Sequence, residues 1–523
     1  MTGFVDVLLR GLALCGQAVA VGGVVFGWAL LRPALARRPV LGALLGRSLV
    51  ATAVGAVVVA CAQALSLGVQ LVALAGDGGW PLREILATTY FRAAVVRILG
   101  CALLLVGGAV LRRRAGVGAG WLLQLVAVAG LVLAAAWTSH AAARVGPRAL
   151  LLALDALHQL AAGVWIGGLA QLLVLAWGRS APPWPAPLLR RFSATALAAV
   201  AVLVAAGGGL TLAYVDGPRA LLGTSYGLMV GSKAAILVGL VLLGALNFFA
   251  VRRLPDAADV APLRLRRFVE VEFGLGATVL FVAASLTSLP PAVDVVTERA
   301  SFTEVLGRVT PKPPTLASPR IADMPVGDPT APRTDADRAW SEFNHNVAGL
   351  FVLGMGMLAL LHASGRARWA RHWPLVFLGL AAMLLVRNDP GDWPLGPRGF
   401  WEGMLRPEVF QHRFFVLLVV LFAGFEWMVR AGRLTAARCA LLFPLLCAVG
   451  GGLLLTHSHA SLNLKEEFLN EITHAPLGLL GVLVGWGRWL ELRLPQDEER
   501  LPRWVWSGAL TAVGLLLLLY RER

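Results

Sequence analysis

RRRAGVGAGWLLQLVAVAGLVLAAAWTSH, residues 112–140, contains the organisation of the chain in miniature: three arginines, an uncharged apolar run at 118–138, and a histidine at the far end. An apolar run of about 20 residues crosses a hydrocarbon core of about 30 Å as a helix, the form in which a segment satisfies its own backbone polar groups without water. Runs of the same kind occupy 5–31, 42–75, 85–111, 150–177, 192–214, 227–250 and 268–289, and six shorter ones follow at 345–362, 373–386, 413–429, 436–456, 475–490 and 503–520. The expected fold is all-α, a polytopic integral membrane helix bundle of about 14 transmembrane helices, eight plus six. The run at 373–386 is short for a full crossing.

Composition agrees. With 58% hydrophobic and 15% charged residues, a chain of 523 residues has too little polar surface to coat a soluble protein, so its solvent is lipid. The net charge of +16 does not indicate nucleic acid, because the arginines stand in short clusters beside the apolar runs. Those clusters (Arg32/Arg37/Arg38/Arg47, Arg112/Arg113/Arg114, Arg179/Arg190/Arg191, Arg252/Arg253/Arg264/Arg266/Arg267, Arg366/Arg368/Arg371 and Arg430/Arg433/Arg438) occupy every second loop. The positive-inside rule then places both termini outside, in the periplasm of a bacterial inner membrane if the cell is Gram-negative. Cys15, Cys61, Cys101, Cys439 and Cys447 fall in apolar runs without a CxxC pair and read as small packing residues. The basic cluster after the first run reads it as a membrane helix, not a cleaved signal.

The expected domains are an eight-helix membrane domain at 1–292, a periplasmic linker at 293–343, and a six-helix membrane domain at 344–523. Pro311-Lys312-Pro313-Pro314 and Asp328-Pro329 argue for an extended or irregular strap in the linker.

On this topology His140, His158, His345, His412, His457, His459 and His474 fall at or near the outer ends of helices, and His362 and His372 lie on the inner side. Neutral imidazole is a ligand of copper and other late transition metals, and an unpaired one is costly in lipid, so one-sided clustering asks for a reason. Asp155 and His158, three apart, share a helix face, where the carboxylate fixes the imidazole tautomer or joins it as a ligand; Trp165 continues that face, and the alternative is a helix-packing motif. Thr456-His457-Ser458-His459 precedes Glu466, Glu467, Glu471 and His474, with His345 and His412 as candidates to converge from neighbouring helices; the alternative is a solvated acidic loop. Met355 and Met357 are candidates for a thioether relay, and Lys233 and Glu272, charges inside spans, are candidates to pair with each other.

Ser139-His140-Ala141, Asp155-Ala156-Leu157-His158 with Trp165-Ile166-Gly167-Gly168, Arg191-Phe192-Ser193, Thr224-Ser225-Tyr226-Gly227 with Lys233, and Glu272 with Leu289-Pro290-Pro291 together resemble the copper resistance protein D (CopD) family over residues 1 to about 292. The resemblance implies an eight-helix membrane unit for copper uptake or tolerance, often working with a periplasmic CopC-type copper carrier, and it singles out His140, Asp155, His158, Trp165, Tyr226, Lys233 and Glu272. The linker lacks histidine and so offers no CopC-like domain, while the second half resembles an extension of longer family members. Copper import through outer-face histidines is the leading expectation, with copper ion as cargo and no enzymatic activity; no Walker motif or phosphorylatable Asp-Lys-Thr-Gly sequence supports a primary pump. A haem or copper redox protein that passes electrons to a quinone or a periplasmic acceptor, and a copper-delivery assembly factor for a cuproenzyme, remain the alternatives.

Overall fold

The computed structural model describes residues 2–35, 42–74, 82–176, 184–255, 263–321, 334–434, 439–456 and 463–522. Among these the chain is helical with no strand, and 14 helices are long and apolar enough to cross a membrane. We label them α1 (Val5–Leu35), α2 (Gly42–Val72), α3 (Thr89–Arg113), α4 (Gly118–Ala136), α5 (Arg148–Leu175), α6 (Ala186–Tyr214), α7 (Ser225–Arg252), α8 (Leu263–Leu286), α9 (Asp335–Ala363), α10 (Arg368–Arg387), α11 (His412–Arg430), α12 (Cys439–Thr456), α13 (Leu464–Arg493) and α14 (Arg500–Leu518). Leu65, Leu99, Leu122, Leu133 and Leu212 stand exposed on the helix surfaces, an arrangement suited to hydrocarbon rather than water. The chain divides into two compact units, Met1–Arg299 with Thr456–Lys465, and Ala300–Leu455 with Glu466–Arg523.

In the first unit α1 packs against α2, α5 and α8. The α1–α5 crossing needs glycine on both sides: a Cβ on Gly167 would lie 1.8 Å from the Ala18 carbonyl oxygen, and one on Gly22 would lie 2.3 Å from the Gly167 carbonyl carbon. Lipid supplies no hydrophobic drive between helices, so such close backbone approach, with its dispersion contacts, holds them together. Ala20, Val21 and Val24 of α1 meet Ala56 and Val59 of α2, Cys101 and Leu104 of α3, and Ala127 and Leu131 of α4 in a buried core. Cys101 thus packs as expected, whereas Cys61 is exposed. Both α1 and α5 widen locally into π-helix, at Phe26–Leu31 and Gly163–Gly167.

In the second unit α9 packs along α14, where Cβ atoms on Gly356 and Gly514 would meet Thr511 Cα at 2.5 Å and Leu353 N at 2.2 Å. The short run at 373–386 crosses by changing helix type. Its first 8 residues, Arg368–Leu375, are 3-10 helix and the next 12, Val376–Arg387, are α-helix. At rises of about 2.0 and 1.5 Å per residue these reach about 34 Å, enough for the core. The α9 helix begins ten residues before its apolar run, because Thr334 and Asp337 close a capping box. The α13 helix likewise starts at Leu464 rather than 475 and carries Pro476 inside it. The proline-rich stretch is not strap throughout: Phe302–Val309 is a helix, opened by a Ser301–Glu304 capping box.

Candidate functional site

After α4 the chain turns at Trp137–Ser139 into a short helix, His140–Ala143, with Ser139 as its N-cap. This holds His140 beside the end of α8, where its Nε2 lies 3.4 Å from the Leu286 carbonyl oxygen. A carbonyl only accepts, so the proton sits on Nε2 and Nδ1 carries the lone pair. Tyr214 and Tyr226 flank the ring edge-on at 6.2 and 6.1 Å. Burial pushes the His140 imidazole below its usual range, outweighing the Leu286 carbonyl, and Arg144 adds to the effect. At neutral pH His140 is therefore neutral, the form that binds metal.

His158, on α5, donates from Nδ1 to the Leu203 carbonyl of α6 at 3.0 Å, which leaves the lone pair on Nε2. Space for the ring exists because residue 207 is glycine; a Cβ there would lie 2.9 Å from His158 Cε1. The expected tautomer-setting role of Asp155 is thus performed by a backbone carbonyl instead. Asp155 accepts from Gln159 Nε2 at 2.8 Å. His140, Asp155, His158, Tyr226 and Lys233 all line one cavity of about 490 Å³.

The same cavity is lined by a network that spacing alone did not disclose. Arg97 of α3 donates to Gln17 Oε1 at 3.4 Å, Gln17 to Gln159 Oε1 at 3.0 Å, and Gln159 to Asp155. In the other direction Arg97 donates to Gln63 Oε1 at 2.9 Å, Gln63 to the Tyr90 hydroxyl at 3.2 Å, and Tyr90 through Ser66 to Asp6. One guanidinium inside the bundle is therefore connected to two carboxylates through neutral relays whose dipoles run the same way, an arrangement in which each bond strengthens the next. Its sequence signal was a polar residue within each of three apolar runs: Gln17, Gln63 and Arg97.

Deeper in the bundle the π turn presents the Trp165 indole to Glu272, whose Oε1 accepts from it at 3.0 Å while Oε2 accepts from Asn247 Nδ2 at 2.8 Å. Glu272 is thus held by neutral donors. The expected Lys233–Glu272 pair is not formed; the carboxylate acting on Lys233 is Asp155.

In the second unit His345 stacks on Tyr520 at 3.9 Å, and His474 meets both edge-on, at 6.0 Å from His345 and 5.6 Å from Tyr520. Each donates from Nδ1 to a carbonyl one turn back on its own helix, Ser341 and Asn470, both at 2.8 Å. His412 stands with another partner, Asp389 Oδ1 at 2.7 Å from its Nδ1. His457 and His459 lie outside the described residues. Met355 is fully buried in the core with Trp373 and Trp506, while Met357 is exposed, so the two do not share one path. Among the described residues no three His, Cys, Asp or Glu side chains come together closely enough to hold a metal ion.

Residues 186–286, which are α6 to α8, match the family model CopD, copper resistance protein D. Over this stretch the chain is similar to the CopD family. The CopD stretch supplies Tyr214, Tyr226, Lys233, Glu272 and the carbonyls that orient both cavity histidines, whereas His140, Asp155, His158 and Trp165 precede it. No curated protein and no solved structure matches the chain. The 14 spans support a multi-pass membrane protein, and α6 to α8 carry the likeness to copper resistance protein D.

Proposed function

We propose that the chain imports copper across a bacterial inner membrane, receiving the ion at the cavity of the first unit. The observation that carries this reading is the placement of His140, from the short helix after α4, and of Asp155 and His158, from α5, around one cavity, with both imidazole tautomers fixed by backbone carbonyls. Each ring keeps one lone pair to offer a soft cation, and Asp155 supplies negative charge. The arginine alternation supports a periplasmic position for this cavity, where a CopC-type carrier is a fitting donor. No nucleotide-handling motif is present, so movement is passive, by exchange, or coupled to protons. The pair His345 and His474 is a second, outer-face station.

The cavity also carries Arg10, Arg97 and Lys233 against Asp155, the one carboxylate among its described lining residues. That balance, with a mainly apolar wall, favours the alternative of a membrane redox protein binding a quinone-like molecule. Elemental analysis and an absorption spectrum of the purified chain, beside a His140→Ala/His158→Ala double variant, test both. Import predicts copper in the wild type, little in the variant, and no Soret band. Equal copper in both proteins overturns the site, and a haem spectrum revives the alternative.

A further inference from the structure

The arginine-rich end of the second unit encloses a separate cavity of about 500 Å³, lined by His362, Arg368, Arg430, Arg488, Glu491 and Arg503 from α9, α10, α11, α13 and α14. Four guanidinium groups face it against one carboxylate. That carboxylate is already committed: Glu491 accepts from Arg488 at 2.6 Å, from Arg503 at 2.9 Å and from the Trp506 indole at 2.5 Å. Glu426, which holds Arg430 Nε at 2.7 Å, is not among the described lining residues.

Arg430 decides the reading. Its side chain is 5% exposed, lies over the faces of Trp373 and Trp506 at 4.8 and 5.3 Å, and lines the cavity, yet its Nη2 has no hydrogen-bond acceptor among the described residues; Arg488 Nε is in the same position. A buried donor of a charged group without an acceptor is costly, so the native state has reason to recruit one. Indole faces hold the guanidinium planes in place, leaving their edges for an acceptor. Arg368 stands exposed and also lines the cavity, where it adds a further positive charge. A metal cation would meet four positive groups here. An oxyanion would meet planar forks of the shape that binds phosphate bidentately, and basic pockets between membrane helices take lipid head groups by this chemistry.

We propose that this cavity binds a phosphate-type oxyanion, supplied by the head group of an anionic lipid or by free phosphate, independently of copper. On the arginine-inside orientation it opens to the acidic cytoplasmic leaflet.

The test uses the full chain in phosphatidylcholine nanodiscs. In one arm inorganic phosphate is titrated at ionic strength held constant with chloride; in the other, phosphatidylglycerol replaces part of the lipid. The wild-type unfolding midpoint rises by several degrees in at least one arm. A rise in both shows that the oxyanion suffices, and a rise with phosphatidylglycerol alone shows that the head group is the ligand. Arg430→Gln and Arg368→Gln each raise the concentration needed by about tenfold, the loss of one charge-assisted contact. If Arg430→Gln fails to fold, Arg368→Gln, at an exposed position, decides alone. No rise in either arm, or an Arg368→Gln response equal to that of the wild type, overturns the proposal.

Discussion

The two units use the same packing device and treat their polar residues in opposite ways. Each depends on a crossing of glycine faces, α1 on α5 in one and α9 on α14 in the other. In the first, the charged groups Arg97 and Asp155 are connected through glutamine side chains, and the groups so arranged border a hollow. In the second, Arg430, Arg488 and Arg503 make direct ion pairs with Glu426, Glu491 and Glu499, packed against tryptophan. Both arrangements border a cavity: relays hold Arg97 and Asp155 apart across the first, whereas direct pairs tie α11, α13 and α14 together and leave the second with an excess of guanidinium.

The sharpest way to break this contrast is to remove one carboxylate from each unit. Glu426→Gln leaves Arg430 and Arg488 short of a counter-charge at a 1% exposed position, and the expected loss of stability is about 3–5 kcal/mol, read from the unfolding midpoint and the yield of monodisperse protein. Gly167→Ala comes next, at about 1–3 kcal/mol or more, because its methyl group meets the Ala18 carbonyl; Gly208→Ala, with nothing within 4 Å of its Cβ, stays within about 0.5 kcal/mol. Similar losses at the two glycines would mean that the α1–α5 crossing is not tight. His158→Ala lowers bound copper or copper-dependent growth by about tenfold, while His412→Ala, whose ring is held by Asp389, leaves it close to wild type. Equal losses would merge the two units functionally. The smallest effect belongs to Glu272→Gln, below about 1 kcal/mol. Its donors are neutral, and Asn247 Oδ1 has no partner among the described residues, so a flipped Asn247 amide accepts from the new glutamine. A loss as large as that of Glu426→Gln would show Glu272 to be charged and needed so.

The helix count was legible because hydrocarbon imposes one length on every crossing, and the 14 expected runs are the 14 spans observed. Polar extensions were not: α9 and α13 continue beyond their apolar runs on capping and helix propensity, signals that hydropathy ignores. The cavity was legible residue by residue in His140, Asp155 and His158, yet the partners of both imidazoles are backbone carbonyls, Leu286 and Leu203, which no side-chain spacing encodes. Lys233 and Glu272 were matched on charge alone, but Glu272 is taken by Trp165 and Asn247. Arg430 read as a topology signal at a loop; the fold turns it inward onto Trp373.

The five-residue π turn at Gly163–Gly167 sets the angular register of α5. A π turn holds one residue more than the α turn it replaces, so the half of the helix bearing Asp155 and His158 is offset by about 100° from the half beyond Trp165. Excising a single residue from that turn would restore the α-helical register without altering Asp155 or His158. The imidazole and the indole could then no longer both keep their present bearings, so the helix works as a two-part key whose halves were cut at different angles.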